Sequence, residues 1–196
     1  MEYDGRGVID LFEVHPRGRE LLLRFRREYP FASLAVFAQA HLPAVVLREL
    51  VGHERWQGYF TFAIVRNPWD RMVSTYAYLK ALMSKPGAKE RQPDNYALME
   101  RSGDFAGFLR MSHLTENDMT ALLVDDAGTQ IVDFVGRFER LSADLAFISE
   151  RIGFAIKLPR LNVSDHGGYR DYYSPETQAI VARNFSRDIE RFAYTF

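Results

Sequence analysis

An arginine, an asparagine and a serine lie around the point where an apolar segment changes into a helical one. The run from Tyr59 to Val65 is aromatic and β-branched, which predicts a buried strand. Asn67 and Pro68 then provide a favoured N-cap and a favoured first helical residue. Arg66 stands at the junction, and Ser74 falls about two turns into the helix. Free N–H groups at a helix N-terminus, with a guanidinium beside them, are suited to binding a phosphate.

A purely structural interpretation of the same junction stays open from the spacing alone. Strand–turn–helix connections are common, and Arg66 can simply pair with a nearby carboxylate. Asp70 is placed in the first helical turn, where negative charge is favourable. The apolar residues further along recur at helical spacing, which predicts one face packed on the sheet. They are Met72, Val73, Tyr76 and Leu79.

The string FAIVRNPWDRMVSTY, residues 62–76, resembles the 3′-phosphate-binding motif of the sulfotransferases. The likeness is greatest to the carbohydrate-sulfotransferase-like family, which has bacterial members. It continues through VDFVGRFERL, LNVSDHGGYRDYYSPET and ARNFSRDIERFAYTF in the order found in that family, and so covers roughly three quarters of the chain. The resemblance implies that Arg66 and Ser74 hold the 3′-phosphate of 3′-phosphoadenosine 5′-phosphosulfate (PAPS), the sulfuryl donor.

The resemblance also implies a fold and a reaction. The fold is a three-layer α/β sandwich with a mainly parallel sheet, of the sulfotransferase and nucleotide-kinase (P-loop) type, with the cofactor at the carboxyl ends of the strands. The reaction is in-line transfer of a sulfuryl group from PAPS to the hydroxyl of an acceptor, a carbohydrate or a small molecule. Such a transfer depends on positioning and on stabilising charge at the leaving oxygen. The sequence does not indicate which acceptor is used.

His41 is the candidate catalytic base. It stands just before a helix predicted over Pro43–Val51 and followed by Gly52, and a residue at a helix entrance can project into a cleft. Histidine titrates near neutrality, which suits a group that accepts a hydroxyl proton. The alternative is a structural histidine bonded to a helix terminus. The stretch AHLPAVVLRELVG, residues 40–52, resembles the segment in which the family places its catalytic histidine.

A polar loop near the C-terminal end supplies further cofactor candidates. Residues 161–173 are rich in Asn, Ser, His, Gly and Tyr and show no periodicity. In the family, the corresponding loop closes over the nucleotide, and the matching polar residues here are Asn162, Ser164 and His166. A solvent-exposed loop of turn-forming residues is the alternative.

The family's second motif, a lysine-containing loop that cradles the 5′-phosphosulfate after an N-terminal strand, is not found. The lysines of this chain are Lys80, Lys85, Lys89 and Lys157. We favour a chain that begins downstream of that loop, so that residues 1–196 form a single but N-terminally incomplete domain. The alternative is that Arg17 in the segment HPRGRE replaces the lysine. A non-catalytic module that binds desulfated 3′-phosphoadenosine 5′-phosphate (PAP), or a protein partner, is therefore the rival function.

Composition narrows the class of protein. With 196 residues and 47% hydrophobic content, the chain has the size and apolar content of one globular domain. A net charge of −1 gives no sign of a nucleic-acid or membrane surface, and no apolar run approaches the ~20 residues of a membrane span. The absence of cysteine excludes disulfides and thiolate metal sites and is compatible with the cytoplasm, which is the expected location. Oligomeric state is not indicated.

The remaining elements are predicted from periodicity and turn residues. Residues 85–95 are polar with two prolines and predict an exposed loop, and residues 104–112 predict a short helix. Residues 130–138 are apolar enough for a central strand, and a helix capped by Ser142 is expected to run to Ile152. Arg137 and Glu139, at the carboxyl end of that strand, are either site residues or a pair that fixes a loop. The final helix is predicted to begin at Ser174 and to continue past Phe185 to Phe192, with both rings on its buried face.

Overall fold

The computed structural model describes residues 42–111, 118–156 and 168–196. These residues fall into two compact units, and the chain passes between the units within each of its two described strands. Unit 1 contains described residues 42–63 and 119–136, and unit 2 contains residues 64–111, 118, 137–156 and 168–196. The expectation of a single domain stays a prediction.

Unit 1 is built from short helices around the start of the strands. Helices α1 (Ala44–Val51) and α2 (His53–Gln57) precede strand β1 (Phe62–Val65), and α7 (Thr120–Leu123) precedes strand β2 (Phe134–Arg137). Helix α1 ends at Gly52, as predicted, and packs against α7. The buried apolar residues of this unit are Ala44, Val46, Leu50, Leu123, Val124 and Val132.

The two strands form a small parallel sheet in the described part of the chain. Asp133 lies just before β2, and Thr61 lies just before β1. The Asp133 carboxylate accepts hydrogen bonds from Thr61 N at 2.7 Å and from Thr61 Oγ1 at 2.8 Å. Because the strands are parallel, both end at the same edge of the sheet. Arg66 therefore leaves β1 on the side where Phe138 and Glu139 leave β2.

Unit 2 is organised around α3 (Pro68–Met83), the predicted helix after β1. The expected apolar face of α3 is confirmed, since Met72, Val73, Tyr76 and Leu79 are all buried. The elements that pack against α3 are α5 (Pro93–Ser102), α6 (Phe105–Met111), α9 (Pro175–Asn184) and the 3₁₀ turn Tyr169–Tyr172. The unit is completed by α4 (Ala88–Arg91), α8 (Leu141–Ile152), the 3₁₀ turn Phe138–Arg140 and α10 (Ser186–Phe192).

Several predicted elements differ from the structure in extent. Residues 85–95 are not one loop, because Pro93 begins α5 and residues 88–91 form α4, where Gly87 provides a left-handed entry at φ +70°. Proline interrupts one helix but also favours the first turn of the next. The strand predicted over residues 130–138 is confined to β2, because residues 124–130 form a tight turn closed by the bridge between Val124 and Gln130.

The two C-terminal helical predictions are confirmed in position but not in every cap. Helix α8 ends at Gly153 as expected, but its N-cap is Arg140 and not Ser142. Asp144 accepts from Arg137 N at 2.6 Å and from Arg140 Nε at 3.1 Å, which fixes the entry to α8 without a serine cap. Ser174 caps α9 through a capping box with Thr177, and the helix predicted as continuous breaks at Phe185 before α10.

Candidate functional site

The junction between β1 and α3 is capped as the sequence predicts. Asn67 Oδ1 accepts hydrogen bonds from Trp69 N at 3.0 Å and Asp70 N at 3.4 Å. Pro68, the first helical residue, has no N–H to donate. The side chain of Asn67 therefore accepts from N–H groups of the first turn that have no partner within the helix, as an N-cap does.

Glu139 occupies the remaining donor at this junction. Its Oε1 atom accepts from Asn67 N at 2.5 Å. The expectation that free backbone N–H groups of α3 receive the phosphate is therefore wrong, because Asn67 Oδ1 and Glu139 already accept from the N–H groups of residues 67, 69 and 70. In this arrangement the side chains at the junction, and not these N–H groups, are available to bind an anion.

Arg66 is fixed by a carboxylate and by an aromatic ring. Its Nε donates to Asp70 Oδ2 at 2.6 Å, and its guanidinium carbon lies 4.2 Å from the centroid of Phe138. Arg66 is 20% exposed, whereas Phe138 is 44% exposed. The structural alternative for Arg66 is thus observed: it does pair with a carboxylate. That pair uses Nε, however, and a guanidinium carries four further N–H donors on its two Nη atoms.

Ser74 lies on α3 and is partly buried. It is seven residues after Asn67, which places it about 10 Å along the helix and within about 20° of the same face. Arg71 lies between Asn67 and Ser74 in the sequence. Its Nη2 atom is 3.9 Å from Asp188 Oδ2 of α10, and its guanidinium carbon is 4.6 Å from the ring centroid of Phe185. Burial lowers the pKa of Arg71, and the charge of Asp188 opposes that effect. Arg71 thus fastens α3 to α10, while Ser74 remains the candidate hydroxyl on this face.

The C-terminal segment is bound to the same junction. Asn67 Nδ2 donates to the carbonyl oxygen of Thr195 at 3.0 Å, and the ring of Phe196 lies 5.6 Å from that of Trp69 in an edge-on contact. Tyr173 donates from its hydroxyl to the carbonyl of Trp69 at 2.9 Å. The first turn of α3 is therefore held by residues more than a hundred positions later in the chain.

Arg137 and Glu139 each bind other partners in the described structure. Arg137 donates from Nη2 to the carbonyl of Phe192, and its guanidinium carbon lies 5.0 Å from the centroid of Tyr194. Glu139 Oε2 accepts from the hydroxyl of Tyr194 at 3.3 Å. The two residues anchor the C-terminal segment through Tyr194, and Glu139 also reaches the candidate site.

Two tyrosines of this network have a raised pKa. Burial is the main cause for Tyr173, with the charge of Asp70 adding to it. Burial also raises the pKa of Tyr194, and the charge of Glu139 adds to it while that of Arg137 opposes it. Both hydroxyls therefore stay protonated at neutral pH and act as hydrogen-bond donors.

The other candidates fall outside the described residues. His41, the candidate base, and the loop residues Asn162, Ser164 and His166 are among them, as is Arg17. Their roles stay predictions. In the described ranges, no group of three or more metal-ligating side chains is close enough to hold an ion. Within the same ranges, no helix combines the length and the apolarity needed to cross a membrane.

Comparison with known proteins identifies the family. The family model described as "Sulfotransferase family" matches residues 43–195, which include the whole strand–helix junction. This chain belongs to the sulfotransferase family. A protein of Archaeoglobus fulgidus described as uncharacterized is 30% identical over 132 residues, spanning 66% of this chain and 98% of that protein. No solved structure matches this sulfotransferase-family chain significantly.

Sequence reasoning missed several residues that support the site. Phe138, Tyr173, Tyr194 and Phe196 all contact the junction or its immediate partners, yet none was a candidate. Phe138 carried a usable signal, since it ends a segment predicted as a strand of a mainly parallel sheet. The C-terminal aromatic residues carried none, because their role arises from contacts between residues far apart in sequence.

Proposed function

We propose that this chain transfers a sulfuryl group from PAPS to an acceptor hydroxyl and that Arg66 is the principal group that binds the 3′-phosphate. The observation that carries this proposal is the state of Arg66 at the carboxyl end of β1. Asp70 and Phe138 fix its guanidinium through Nε and through the ring face, so that the Nη donors are pre-organised rather than lost.

The described residues fit a phosphate that is bound by side chains. A guanidinium presents paired N–H donors that match two phosphate oxygens, and Ser74 adds a hydroxyl on the face of α3 that begins at Asn67. Asp70 and Glu139 bring negative charge to the same junction. Because these carboxylates lower the local positive potential, the expected affinity for a 3′-phosphate is moderate rather than high.

The bound nucleotide supplies the activated sulfuryl group, and the residues of this chain bind and orient it. We assign to Arg66 and Ser74 the placement of the 3′-phosphate, and to Asn162, Ser164 and His166 the closure over the nucleotide. His41 is assigned to accept the proton of the attacking hydroxyl. The acceptor is proposed to be a carbohydrate, on the strength of the motif resemblance, and the fold around the site to be the three-layer, P-loop-type sandwich.

The test combines binding with turnover. Calorimetry should show that the wild-type chain binds PAP more tightly than adenosine 5′-phosphate, and labelled PAPS should donate sulfate to members of a glycan panel. Arg110→Ala is a suitable control, because it removes an exposed ion pair with Glu176 (2.8 Å) elsewhere in unit 2. Equal affinity for the two nucleotides would contradict the assigned role of Arg66. A preference for PAP without any sulfate transfer would favour the non-catalytic PAP-binding function.

A further inference from the structure

The carboxylate of Glu139 joins two segments that are distant in sequence. One oxygen accepts from the backbone N–H of Asn67 at 2.5 Å, and the other accepts from the hydroxyl of Tyr194 at 3.3 Å. Asn67 directly follows Arg66, so a bond to its N–H restrains the peptide from which the Arg66 side chain begins. Glu139 is therefore linked to the position of Arg66 without touching its guanidinium.

The position of Phe138 strengthens this link. Phe138 is the residue before Glu139, and its ring lies against the Arg66 guanidinium at 4.2 Å. A shift of Glu139 would therefore disturb both the start of the Arg66 side chain and the surface on which its end rests.

The C-terminal segment holds Glu139 in turn. The ring of Tyr194 lies 5.0 Å from the Arg137 guanidinium and 6.3 Å from the ring of Phe192, so Tyr194 is fixed on two sides while its hydroxyl donates to Glu139. The next residue, Thr195, accepts from the side chain of Asn67 at 3.0 Å. Asn67 is thus held by the C-terminal segment in two ways, directly through the carbonyl of Thr195 and indirectly through Tyr194 and Glu139.

We propose that Glu139, supported by Tyr194, is a positioning residue for Arg66 and that the last residues of the chain thereby belong to the structural support of the nucleotide site. This inference rests on the proposed function, because it concerns the binding of a 3′-phosphate by Arg66. Glu139 acts as a hydrogen-bond acceptor in this role. Its negative charge disfavours a nearby phosphate, so charge cannot be its contribution to binding.

Two substitutions of Glu139 distinguish a role as a hydrogen-bond acceptor from a role of its negative charge. In Glu139→Gln, the amide oxygen can still accept from Asn67 N, and the hydroxyl of Tyr194 can accept from the amide NH₂. Glu139→Ala removes both contacts and leaves the N–H of the buried residue Asn67 without this acceptor. Glutamine should therefore rescue what alanine loses, which a requirement for the charge would not allow.

The measurement is the ratio of the affinities for PAP and adenosine 5′-phosphate, obtained by calorimetry on the full chain. This ratio reports the 3′-phosphate contact and is insensitive to a uniform loss of folded protein. We expect Glu139→Ala to lower the ratio about tenfold, which corresponds to about 1.4 kcal/mol, and Glu139→Gln to keep it within about twofold of wild type. Tyr194→Phe, which keeps the ring, should lower the ratio about threefold.

Two matched controls accompany these variants. Ser102→Ala also removes one hydroxyl bond of a buried residue in unit 2, to the carbonyl of Met99 within α5. Glu176→Ala removes an exposed carboxylate that pairs with Arg110. Both should leave the ratio unchanged, even where Ser102→Ala lowers the melting temperature as much as Tyr194→Phe does.

The outcomes separate this inference from the proposed function. Equal wild-type affinity for both nucleotides would overturn the proposed function, and this inference with it. A wild-type preference for PAP that survives Glu139→Ala and Tyr194→Phe would overturn the inference alone. If Glu139→Ala does not fold, the other variants decide: a ratio lowered more than fivefold by Glu139→Gln, or equal ratios in Tyr194→Phe and Ser102→Ala, would also overturn it.

Discussion

Arg66 and Asp70 form an ion pair across the first turn of α3, with Nε and Oδ2 2.6 Å apart. Both side chains are largely buried, and Asp70 is also in the turn where the helix dipole favours negative charge. The same carboxylate therefore has two opposite effects on an anion site. It orients the guanidinium, and it lowers the positive potential around it.

Asp70→Asn should separate these two effects, because it keeps a hydrogen-bond acceptor for Arg66 and removes the negative charge. The amide oxygen can still accept from Arg66 Nε, so the orientation is kept, while the loss of negative charge strengthens PAP binding several-fold at low salt. The loss of a favourable charge at the helix N-terminus should lower the free energy of unfolding by about 0.3–1 kcal/mol. Calorimetry and urea unfolding measure the two quantities. Weaker PAP binding in this variant would show that the ionic character of the pair is needed for orientation.

Arg66→Ala should weaken PAP binding by about 2–3 kcal/mol, because a charge-assisted interaction with the phosphate is lost. Arg66→Lys should recover only part of this, since an ammonium cannot present two parallel donors and cannot keep the bond from Nε to Asp70. Affinity for adenosine 5′-phosphate should change little in either variant. A parallel loss for both nucleotides would mean that Arg66 acts on folding or on another part of the nucleotide.

Ser74→Ala should cost less, about 1 kcal/mol of PAP affinity, because one neutral hydroxyl contact is removed. Thr75→Ser is a useful neighbouring control, since the Thr75 hydroxyl donates to the carbonyl of Arg71 at 2.8 Å within the helix and a serine can keep that bond. Both variants are measured by the same titration. An unchanged affinity in Ser74→Ala would remove Ser74 from the proposed site.

The strand–helix junction was predictable because its signals are local. Asn67, Pro68 and Asp70 each favour their observed position through contacts within four residues, and the apolar spacing of α3 fixes its buried face. The occupation of the N–H of Asn67 was not predictable in this way. It depends on Glu139, 72 residues later, and sequence spacing does not tell which carboxylate reaches a distant donor.

The contrast between local signals and contacts made by distant residues also explains where other predicted elements differ from the structure. The apolar residues 130–138 predict strand β2, but the strand begins later, at Phe134, because Gln130 and Ile131 belong to the chain leaving a tight turn. A serine cap is predicted at the entry to α8, whereas the structure has no side-chain cap there, and Asp144 of the helix accepts from Arg137 N ahead of it. The aromatic residues around Phe196 belong to an assembly formed only when the C-terminal segment meets α3.

His41→Ala should lower kcat by about 10²–10⁴-fold and leave PAP affinity nearly unchanged, if His41 is the base that accepts the hydroxyl proton. The rate of the wild-type chain should fall as the pH drops through the imidazole pKa, because the protonated ring cannot act as a base, and this acidic limb should vanish in the variant. His53→Ala, on the exposed face of α2, is the matched control. Unimpaired turnover in His41→Ala would assign the residue a structural role.

Stability should fall at alkaline pH because of Tyr173 and Tyr194. Burial raises the pKa of both hydroxyls in the folded state above the ordinary tyrosine value of about 10. Below that value both states are protonated, and a change of pH does not alter the contribution of these groups to stability. Above it the unfolded chain loses protons that the folded chain keeps, so the free energy of unfolding declines with a slope approaching about 1.4 kcal/mol per pH unit for each tyrosine.

Urea unfolding between pH 8 and pH 11 (about two units below and one unit above the ordinary value) measures this slope. Tyr194→Phe and Tyr173→Phe should each remove the part of the slope that comes from the replaced tyrosine. Each should also lower stability at pH 8 by about 0.5–1.5 kcal/mol, because one hydrogen bond is lost. Tyr59→Phe, at an exposed position, should leave the slope as it is in the wild-type chain. An alkaline slope as steep in the double variant as in the wild-type chain would come from other groups, and would show that the two hydroxyls are not held protonated by the fold.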